Sequence, residues 1–214
     1  MPLTQLIDGK LGASVPLRNE PVQARSTARL TALLDAAAAA IDELGYERLT
    51  TAMVAERAGA SIGTVYRYFP DRIAVLQALA TRNLDTVFKA IDRAVADRRS
   101  TEWRGVVLGV FDAYVSAFRT QRGFASLRAG DVLDLRPAPG VRTANSRIAE
   151  SLMTGLATRF GTDTGPSALF AFENAMEVQD ALIARAFARN AKGDAAFLDS
   201  GRGLVLSILA PRLP

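Results

Sequence analysis

The sequence contains no cysteine and no histidine among its 214 residues. Without cysteine, the chain has no disulfides, thiolate nucleophiles, iron–sulfur clusters or cysteine-bound zinc. Without histidine, it has no Ser-His-Asp triad, no imidazole acid–base catalysis and few options for a transition-metal site. Together the two absences exclude much of known enzymology and predict a protein without metal or cofactor.

Long apolar runs are also lacking. The longest, at 36–41 and 106–111, are far shorter than the ~18–20 residues that a membrane-spanning helix needs. The first ten residues have no basic stretch followed by a sustained apolar one, so no signal peptide is predicted. We therefore expect no membrane segment and a cytoplasmic location.

Excess positive charge is small and lies outside the first 85 residues. The formal net charge is +4, yet residues 1–85 contain nine basic and nine acidic side chains. Net charge reports only non-specific attraction, so a nucleic-acid surface must be argued from the placement of individual charges.

Helical periodicity begins near residue 25, where apolar residues recur at three- and four-residue steps, and no stretch alternates as a strand does. Residues 1–24 hold three prolines and two glycines and are predicted to form a flexible arm. The chain is therefore predicted to be all-α. Beyond a short helix near residue 50, helices are expected at about 25–44, 62–69, 71–98, 103–119, 143–160, 166–190 and 195–210.

Residues 48–72 have the pattern of a helix-turn-helix. Thr50 or Thr51 is suited to begin a short helix, and Gly59-Ala60 makes a turn. A second helix follows, with Ser61 as its N-cap and Pro70 as its stop. Within 48–72 four arginines face two acidic residues, so this segment is locally basic.

The second helix of this motif carries hydroxyls and a guanidinium where solubility alone would favour Glu and Lys. These side chains are Ser61, Thr64, Tyr66, Arg67 and Tyr68. Gly63 weakens the helix by about 0.5–1 kcal/mol relative to alanine. A glycine at this position is explained if a phosphate or base edge approaches the helix closely. Core packing is the alternative for the aromatic residues, although at least one tyrosine hydroxyl must point outward from the face of Val65 and Phe69.

The run LTTAMVAERAGASIGTVYRYFPDRIAVL resembles the DNA-binding domain of the tetracycline-repressor (TetR) family of bacterial regulators. The resemblance covers about residues 26–76. The residues whose spacing matches the family pattern are Gly45, Thr51, Ala58-Gly59, Ser61, Gly63-Thr64, Tyr66 and Tyr68-Phe69. The sequence departs from the family pattern at Arg72 and Ile73, which replace a lysine followed by an acidic residue.

The resemblance implies a set of DNA contacts. Ser61, Gly63, Thr64, Tyr66 and Tyr68 would line the recognition helix, with Thr64 and Arg67 best placed for base edges. Thr51, Tyr68 and Arg72 would contact phosphates, and Arg25 or Arg29 with the arm would reach the adjacent backbone or minor groove.

The resemblance also implies the domain organisation and the mode of action. It predicts an arm (1–24), a three-helix DNA-binding domain (25–70) and a larger helical ligand-binding and dimerisation domain (71–214). The expected protein is a homodimeric repressor of a pseudo-palindromic operator, released by a small apolar effector. A ligand-dependent activator of the same fold is the alternative.

An apolar effector pocket is expected in the larger domain, although ordinary core packing accounts for the same residues. The candidates are Trp103, Val107, Phe111, Tyr114, Phe118, Phe172 and Met176, with Arg128, Glu173 or Glu177 as polar anchors.

Two other classes of protein compete with a regulator. A carboxylate-dependent enzyme would use Asp131 and Asp134, or Glu173, Glu177 and Asp180, but the second set has the spacing of a solvated helix face. A helical adaptor that binds only protein leaves the polar surface from Gly63 to Tyr68 unexplained. The sequence therefore predicts double-stranded DNA and a small effector as partners, and no enzymatic activity.

Overall fold

The computed structural model describes residues 24–127 and 142–213, with side chains from Ser26 onward. Within this part of the chain there are eight α-helices and no strand, so the all-α prediction is confirmed. The helices are α1 Ala24–Leu44, α2 Thr51–Arg57, α3 Ile62–Tyr68, α4 Arg72–Ala96, α5 Trp103–Thr120, α6 Ala144–Phe160, α7 Pro166–Phe187 and α8 Ala195–Leu209. Short 3-10 turns lie at Tyr46–Arg48 and Ala210–Arg212.

Side-chain caps set the starts of the helices around the turn. Of the two threonines considered for the start of α2, Thr50 is the N-cap, because its Oγ1 accepts a bond from the Met53 N–H at 3.2 Å. Ser61 caps α3 by accepting from the Thr64 N–H at 3.1 Å. Asp71 accepts from the Ala74 N–H at 2.8 Å and starts α4.

The end of α7 differs from the sequence prediction, which extends this helix to about residue 190. The helix ends at Phe187 because Gly193, with φ 82°, lets the chain turn back. The Asp194 N–H then donates to the Ala186 carbonyl at 3.0 Å, which satisfies one acceptor at the helix end.

The chain divides into two compact units. In the described residues the first unit comprises 24–85 and 122–127, and the second comprises 86–121 and 142–213. The division lies within α4, whereas the sequence prediction places a boundary at residue 70. Val75, Leu76 and Leu79 from the first half of α4 explain the difference, since all three are buried in the core of the first unit.

The first unit packs α1, α2, α3 and the start of α4 around an aliphatic core. Its largest fully buried side chains include Leu30, Leu33, Leu34, Ile41, Leu49, Phe69 and Leu79. Segment 122–127 is held in this unit by hydrogen bonds from both long helices. Asn83 Nδ2 donates to the Leu127 carbonyl at 3.1 Å, and Asp42 Oδ1 accepts from the Gly123 N–H at 2.9 Å.

The second unit packs α7 against α8 and α6, with α5 alongside. Its core is richer in aromatic residues than that of the first unit. Phe111 and Phe172 are fully buried, and the rings of Phe118 and Phe187 lie 5.2 Å apart. None of the described helices combines the length and the apolar character that a membrane crossing demands.

Candidate nucleic-acid interface

The turn between α2 and α3 fixes which face of α3 points to solvent. Gly59 adopts φ 56°, and the Ala60 N–H donates to the Ala55 carbonyl at 2.9 Å. Val65 and Tyr68 on α3, and Phe69 directly after it, are then buried in the core. Because these residues lie on the core side of the seven-residue helix, the other positions of α3 form its outer face.

Four of the predicted contact residues lie on that outer face. Ser61, Gly63, Tyr66 and Arg67 are exposed, and Thr64 is half-buried beside them. The Ser61 and Thr64 hydroxyls are 2.9 Å apart and share a hydrogen bond. The outer face therefore presents hydroxyls and a guanidinium, the groups that hydrogen-bond phosphates and base edges.

The start of α2 adjoins this face. The Thr51 hydroxyl donates to the Tyr66 hydroxyl oxygen across 3.4 Å. A long but direct contact therefore joins the first residue of α2 to the outer face of α3. We call the surface formed by Thr51, Ser61, Gly63, Thr64, Tyr66 and Arg67 the recognition face.

Tyr68 lies apart from the recognition face. Its side chain is only 4% exposed, and its hydroxyl is 3.0 Å from the hydroxyl of Ser26 at the start of α1. The guanidinium of Arg67 lies 5.6 Å from the centre of the Tyr68 ring. Of the two tyrosines, Tyr66 is the one that points outward, whereas the Tyr68 hydroxyl bonds with that of Ser26 inside the first unit.

Two arginines of the motif form hydrogen bonds within the chain. Arg72 donates to the Glu47 carbonyl at 2.6 Å, at the 3-10 turn after α1. Arg57 forms a bidentate pair with Glu43, with N–O distances of 2.5 and 2.8 Å. This hydrogen bonding to Arg57 lowers the pKa of Glu43. The side chain of Arg25 lies outside the described residues, and its alternative Arg29 is exposed on α1.

Gly63 is not required by the packing of the chain itself. A Cβ built on it would meet only Ser61 Oγ, at an ordinary distance of 3.9 Å. Gly63 has a negative φ, so an alanine would fit its backbone as well. A reason for glycine at this position must therefore lie outside the isolated chain.

The residues predicted to line an effector pocket are all buried in the second unit. Trp103, Val107, Phe111, Tyr114 and Phe118 share one face of α5, and Phe172 and Met176 lie on α7. Burial raises the pKa of the Tyr114 hydroxyl, and the nearby Asp180 and Glu177 raise it further. Of the polar anchors, Glu173 is half-buried, Glu177 is exposed and Arg128 lies outside the described residues. Asp131 and Asp134 lie outside them too.

Gln179 is a polar residue of this core that sequence reasoning missed. It is 1% exposed, its Oε1 has no hydrogen-bond partner among the described residues, and its Nε2 reaches the Met176 sulfur at 4.0 Å. Burial of an amide oxygen without a hydrogen bond costs about 1–3 kcal/mol of folding free energy. Its spacing from Met176 and Ile183 on the buried face of α7 was the available indication in the sequence.

A groove of about 350 Å³ lies elsewhere in the second unit, between the end of α4 and α6. Ile91, Val95, Ser151, Gly155 and Arg159 are among its lining residues, and none of the predicted effector residues is. Arg159 donates a hydrogen bond to the Val95 carbonyl at 2.7 Å and thereby caps the end of α4.

Comparison with known proteins gives matches over both parts of the chain. The sequence model for bacterial regulatory proteins of the tetR family matches residues 33–79. The model for the tetracyclin repressor-like C-terminal domain matches residues 101–213. A TetR-family transcriptional regulator from Streptomyces coelicolor is 32% identical, with a TM-score of 0.73 over 86% of this chain and 99% of that one.

Two further relatives match less closely. The transcriptional repressor KstR of Mycolicibacterium smegmatis is 39% identical over 62 residues, 29% of this chain and 30% of KstR. This chain therefore spans less than a third of that relative's length. The regulator FadR of Bacillus subtilis, in complex with stearoyl-CoA, shares the fold at 18% identity, with a TM-score of 0.63 over 83% of this chain and 97% of FadR.

The recognition face and the family matches both indicate a DNA-binding protein. The match to the C-terminal model alone spans more than half of the 214 residues, and the N-terminal match includes the helix-turn-helix. Matched relatives are transcriptional regulators rather than enzymes. The chain therefore belongs to the TetR family of bacterial regulatory proteins and is a DNA-binding transcriptional regulator.

Proposed function

We propose that this regulator is a homodimeric repressor that binds a pseudo-palindromic operator and is released from it by a small apolar ligand. The observation that carries the DNA part is the recognition face. Its hydroxyls lie in two hydrogen-bonded pairs, Ser61 with Thr64 and Thr51 with Tyr66, beside the exposed Arg67. Such a surface suits both phosphate and base contacts.

Five of the six residues of the recognition face have a proposed role. Thr64 and Arg67 read base edges, and Thr51 and Tyr66 bind phosphates at the rim of the major groove. Gly63 lets the DNA approach the backbone of α3, since among the described residues a Cβ there would meet only Ser61 Oγ, at 3.9 Å. Arg25 and Arg72 add contacts to neighbouring phosphates, and in Arg72 only the nitrogens turned away from Glu47 serve this role.

A second copy of the chain is the proposed partner of α7 and α8. Phe170 on α7 is 64% exposed and Leu204 on α8 is 45% exposed. These are the large exposed apolar side chains in the described part of the second unit, and their two helices pack together. Gly203, with open space above it, leaves room for a partner helix. Pairing would bury both side chains and set two recognition faces on half-sites one helical turn, or a multiple of it, apart.

The proposed effector site is the aromatic core between α5 and α7. Its walls are apolar, and the unpartnered Gln179 Oε1 would accept a hydrogen bond from a ligand group. FadR of Bacillus subtilis, with the same fold, holds stearoyl-CoA. A ligand that fits one dimer geometry better than the other shifts the population by its difference in affinity, which relieves repression.

DNA binding is tested by selecting bound fragments from the source genome with the purified full chain. We expect one or a few fragments with an inverted repeat, and an affinity that falls steeply as salt rises. Arg67→Ala should alter the preferred sequence, whereas Thr51→Ala should weaken all sequences alike. Absence of any selected fragment would overturn the repressor proposal, and identical effects of the two variants would overturn the assignment of roles.

Dimer formation is tested by sedimentation of the full chain and of Phe170→Glu. The wild type should sediment as a dimer at micromolar concentration and the variant as a folded monomer, because a buried unpaired carboxylate disfavours the interface. Ile73→Glu is the control, since Ile73 is also an exposed apolar residue, at 44%, but lies in the first unit. A monomeric wild type, or an equal loss of dimer in both variants, would contradict the proposed interface.

A further inference from the structure

Ile62 is an apolar residue whose exposure the fold does not explain. It is the first residue of α3 and is 43% exposed. Five large apolar or aromatic side chains are exposed in the described residues: Ile62, Tyr66, Ile73, Phe170 and Leu204. The last two lie on the proposed dimer face, and Tyr66 carries a hydroxyl. Ile62 therefore remains as a purely apolar side chain on the recognition helix.

The surroundings of Ile62 leave its side chain open to a ligand. Its neighbours Ser61 and Thr64 bond to each other across 2.9 Å, so their hydroxyls partly satisfy one another. Among the described residues, a Cβ on the neighbouring Gly63 would meet only Ser61 Oγ, at 3.9 Å. The core side of α3 is filled by Val65 and Phe69, and Ile62 is left 43% exposed beside it.

We infer that Ile62 contacts the 5-methyl group of a thymine in the major groove and thereby selects a T·A pair at one position of each half-site. This inference rests on the proposed operator binding. The thymine methyl is the apolar feature that the four base pairs offer in the major groove, and the minor groove offers none. Residues at the start of a recognition helix are those that reach base edges.

Among the members of the recognition face, the γ-methyl groups of Thr51 and Thr64 are also able to contact a thymine methyl, and the response of Ile62→Ala distinguishes them from Ile62. Ser61, Arg67 and the hydroxyls of Thr64 and Tyr66 are hydrogen-bonding groups, which read the polar atoms of the base edges or bind phosphates. A methyl group gains little from such partners, but it gains from contact with a branched aliphatic side chain. Burial of one methyl is worth about 0.8 kcal/mol, which corresponds to about fourfold in affinity.

The test replaces each thymine of a selected genomic duplex, one at a time, by deoxyuridine, which removes only the methyl. For wild-type protein we expect one thymine per half-site at which this change weakens binding about fourfold. Ile62→Ala should bind the thymine and deoxyuridine duplexes equally at that position. Ile73→Ala is the matched control, because Ile73 is 44% exposed and lies outside the recognition helix. It should keep the wild-type response.

The outcomes separate this inference from the proposed function. If no duplex is selected, operator binding itself fails. If duplexes are selected but wild-type protein responds to no thymine methyl, the inference is overturned whatever the variants do. A methyl response that persists in Ile62→Ala also overturns it. Should Ile62→Ala fold poorly by circular dichroism, Ile62→Val provides the same comparison, with an expected intermediate response.

Discussion

Each of the two units buries an amide side chain, and the two amides are held differently. In the first unit, Asn83 Nδ2 donates to the carbonyls of Leu127 and Gly123, at 3.1 and 3.4 Å. In the second unit, Gln179 has a thioether 4.0 Å from its nitrogen and nothing at its oxygen. The first core is complete within the chain, whereas the second leaves a hydrogen-bonding group for a partner.

The difference corresponds to where each unit is proposed to bind its ligand. The first unit carries its polar groups outside, on the recognition face, over an aliphatic core. The second unit carries Tyr114 and Gln179 inside, among aromatic rings. A rigid core supports a surface that must fit DNA, and an adaptable aromatic core suits a small molecule taken up inside.

The largest effect is expected from removing a buried ring in each unit. Phe69→Ala should lower the free energy of unfolding by about 3–5 kcal/mol, since Phe69 fills a core that has no alternative packing. Phe172→Ala, equally buried, should cost less if Phe172 lines the proposed effector site, because a ring beside a space for a ligand has fewer close neighbours to lose. Urea denaturation measures both. Equal losses would assign Phe172 to ordinary packing.

Replacing the two buried amides by leucine should change the free energy of unfolding in opposite directions. Asn83→Leu removes the donor of two carbonyls and should lower the free energy of unfolding by about 1–3 kcal/mol. Gln179→Leu removes an unpartnered acceptor and should be neutral or stabilising, by up to about 1–3 kcal/mol. Thermal unfolding of the two variants compares them directly. If Gln179→Leu destabilises the protein as Asn83→Leu does, the two cores do not differ in this respect.

The two tyrosines of α3 separate a surface role from a structural one. Tyr66→Phe should weaken DNA binding about 5- to 10-fold, equivalent to a hydrogen bond of about 1 kcal/mol, with stability unchanged. Tyr68→Phe loses the contact with Ser26 and should lower the free energy of unfolding by about 0.5–1.5 kcal/mol. Anisotropy titration with operator DNA and thermal unfolding measure the two effects. A loss of affinity in Tyr68→Phe at unchanged stability would favour direct phosphate contact by Tyr68.

The smallest expected effect is a gain in stability that accompanies a loss of function. Gly63→Ala should stabilise the protein by about 0.5–1 kcal/mol, because alanine favours a helix and meets no obstacle. The same variant should bind operator DNA more weakly if the DNA approaches the backbone there. Gly109→Ala on α5 is the control, since its Cβ would meet only Ala94 Cβ at 3.6 Å. It should gain stability and keep full DNA affinity.

Much of the fold was predictable from the sequence because its determinants are local. Ser61 and Asp71 bond to backbone N–H groups three residues away, so a cap can be recognised from a short window. The end of α7 was not predictable in this way, because it depends on a turn at Gly193 and a hydrogen bond from Asp194 back to Ala186. The discontinuous first unit was missed for the same reason, since it rests on contacts between Asn83 and segment 122–127.

The site was predictable to the extent that it follows helical periodicity. Val65 and Phe69 mark the buried side of α3, which leaves Ser61, Tyr66 and Arg67 on the other. The burial of Tyr68 was not predictable, because its partner Ser26 lies 42 residues earlier in the chain. The exposure of Ile62 was not predicted, because the burial of a single isoleucine at the start of a helix does not follow from its residue type.

The return of segment 122–127 to the first unit bears on how such regulators diversify. A chain ending after Asp85 would keep the recognition face, yet Asn83 would lose both carbonyl acceptors and the core would lose Leu127. A second unit grafted by a single crossover after α4 therefore brings its own version of this segment, which must fit the core of the first unit. Point mutation within the aromatic core, the proposed effector site, avoids this requirement.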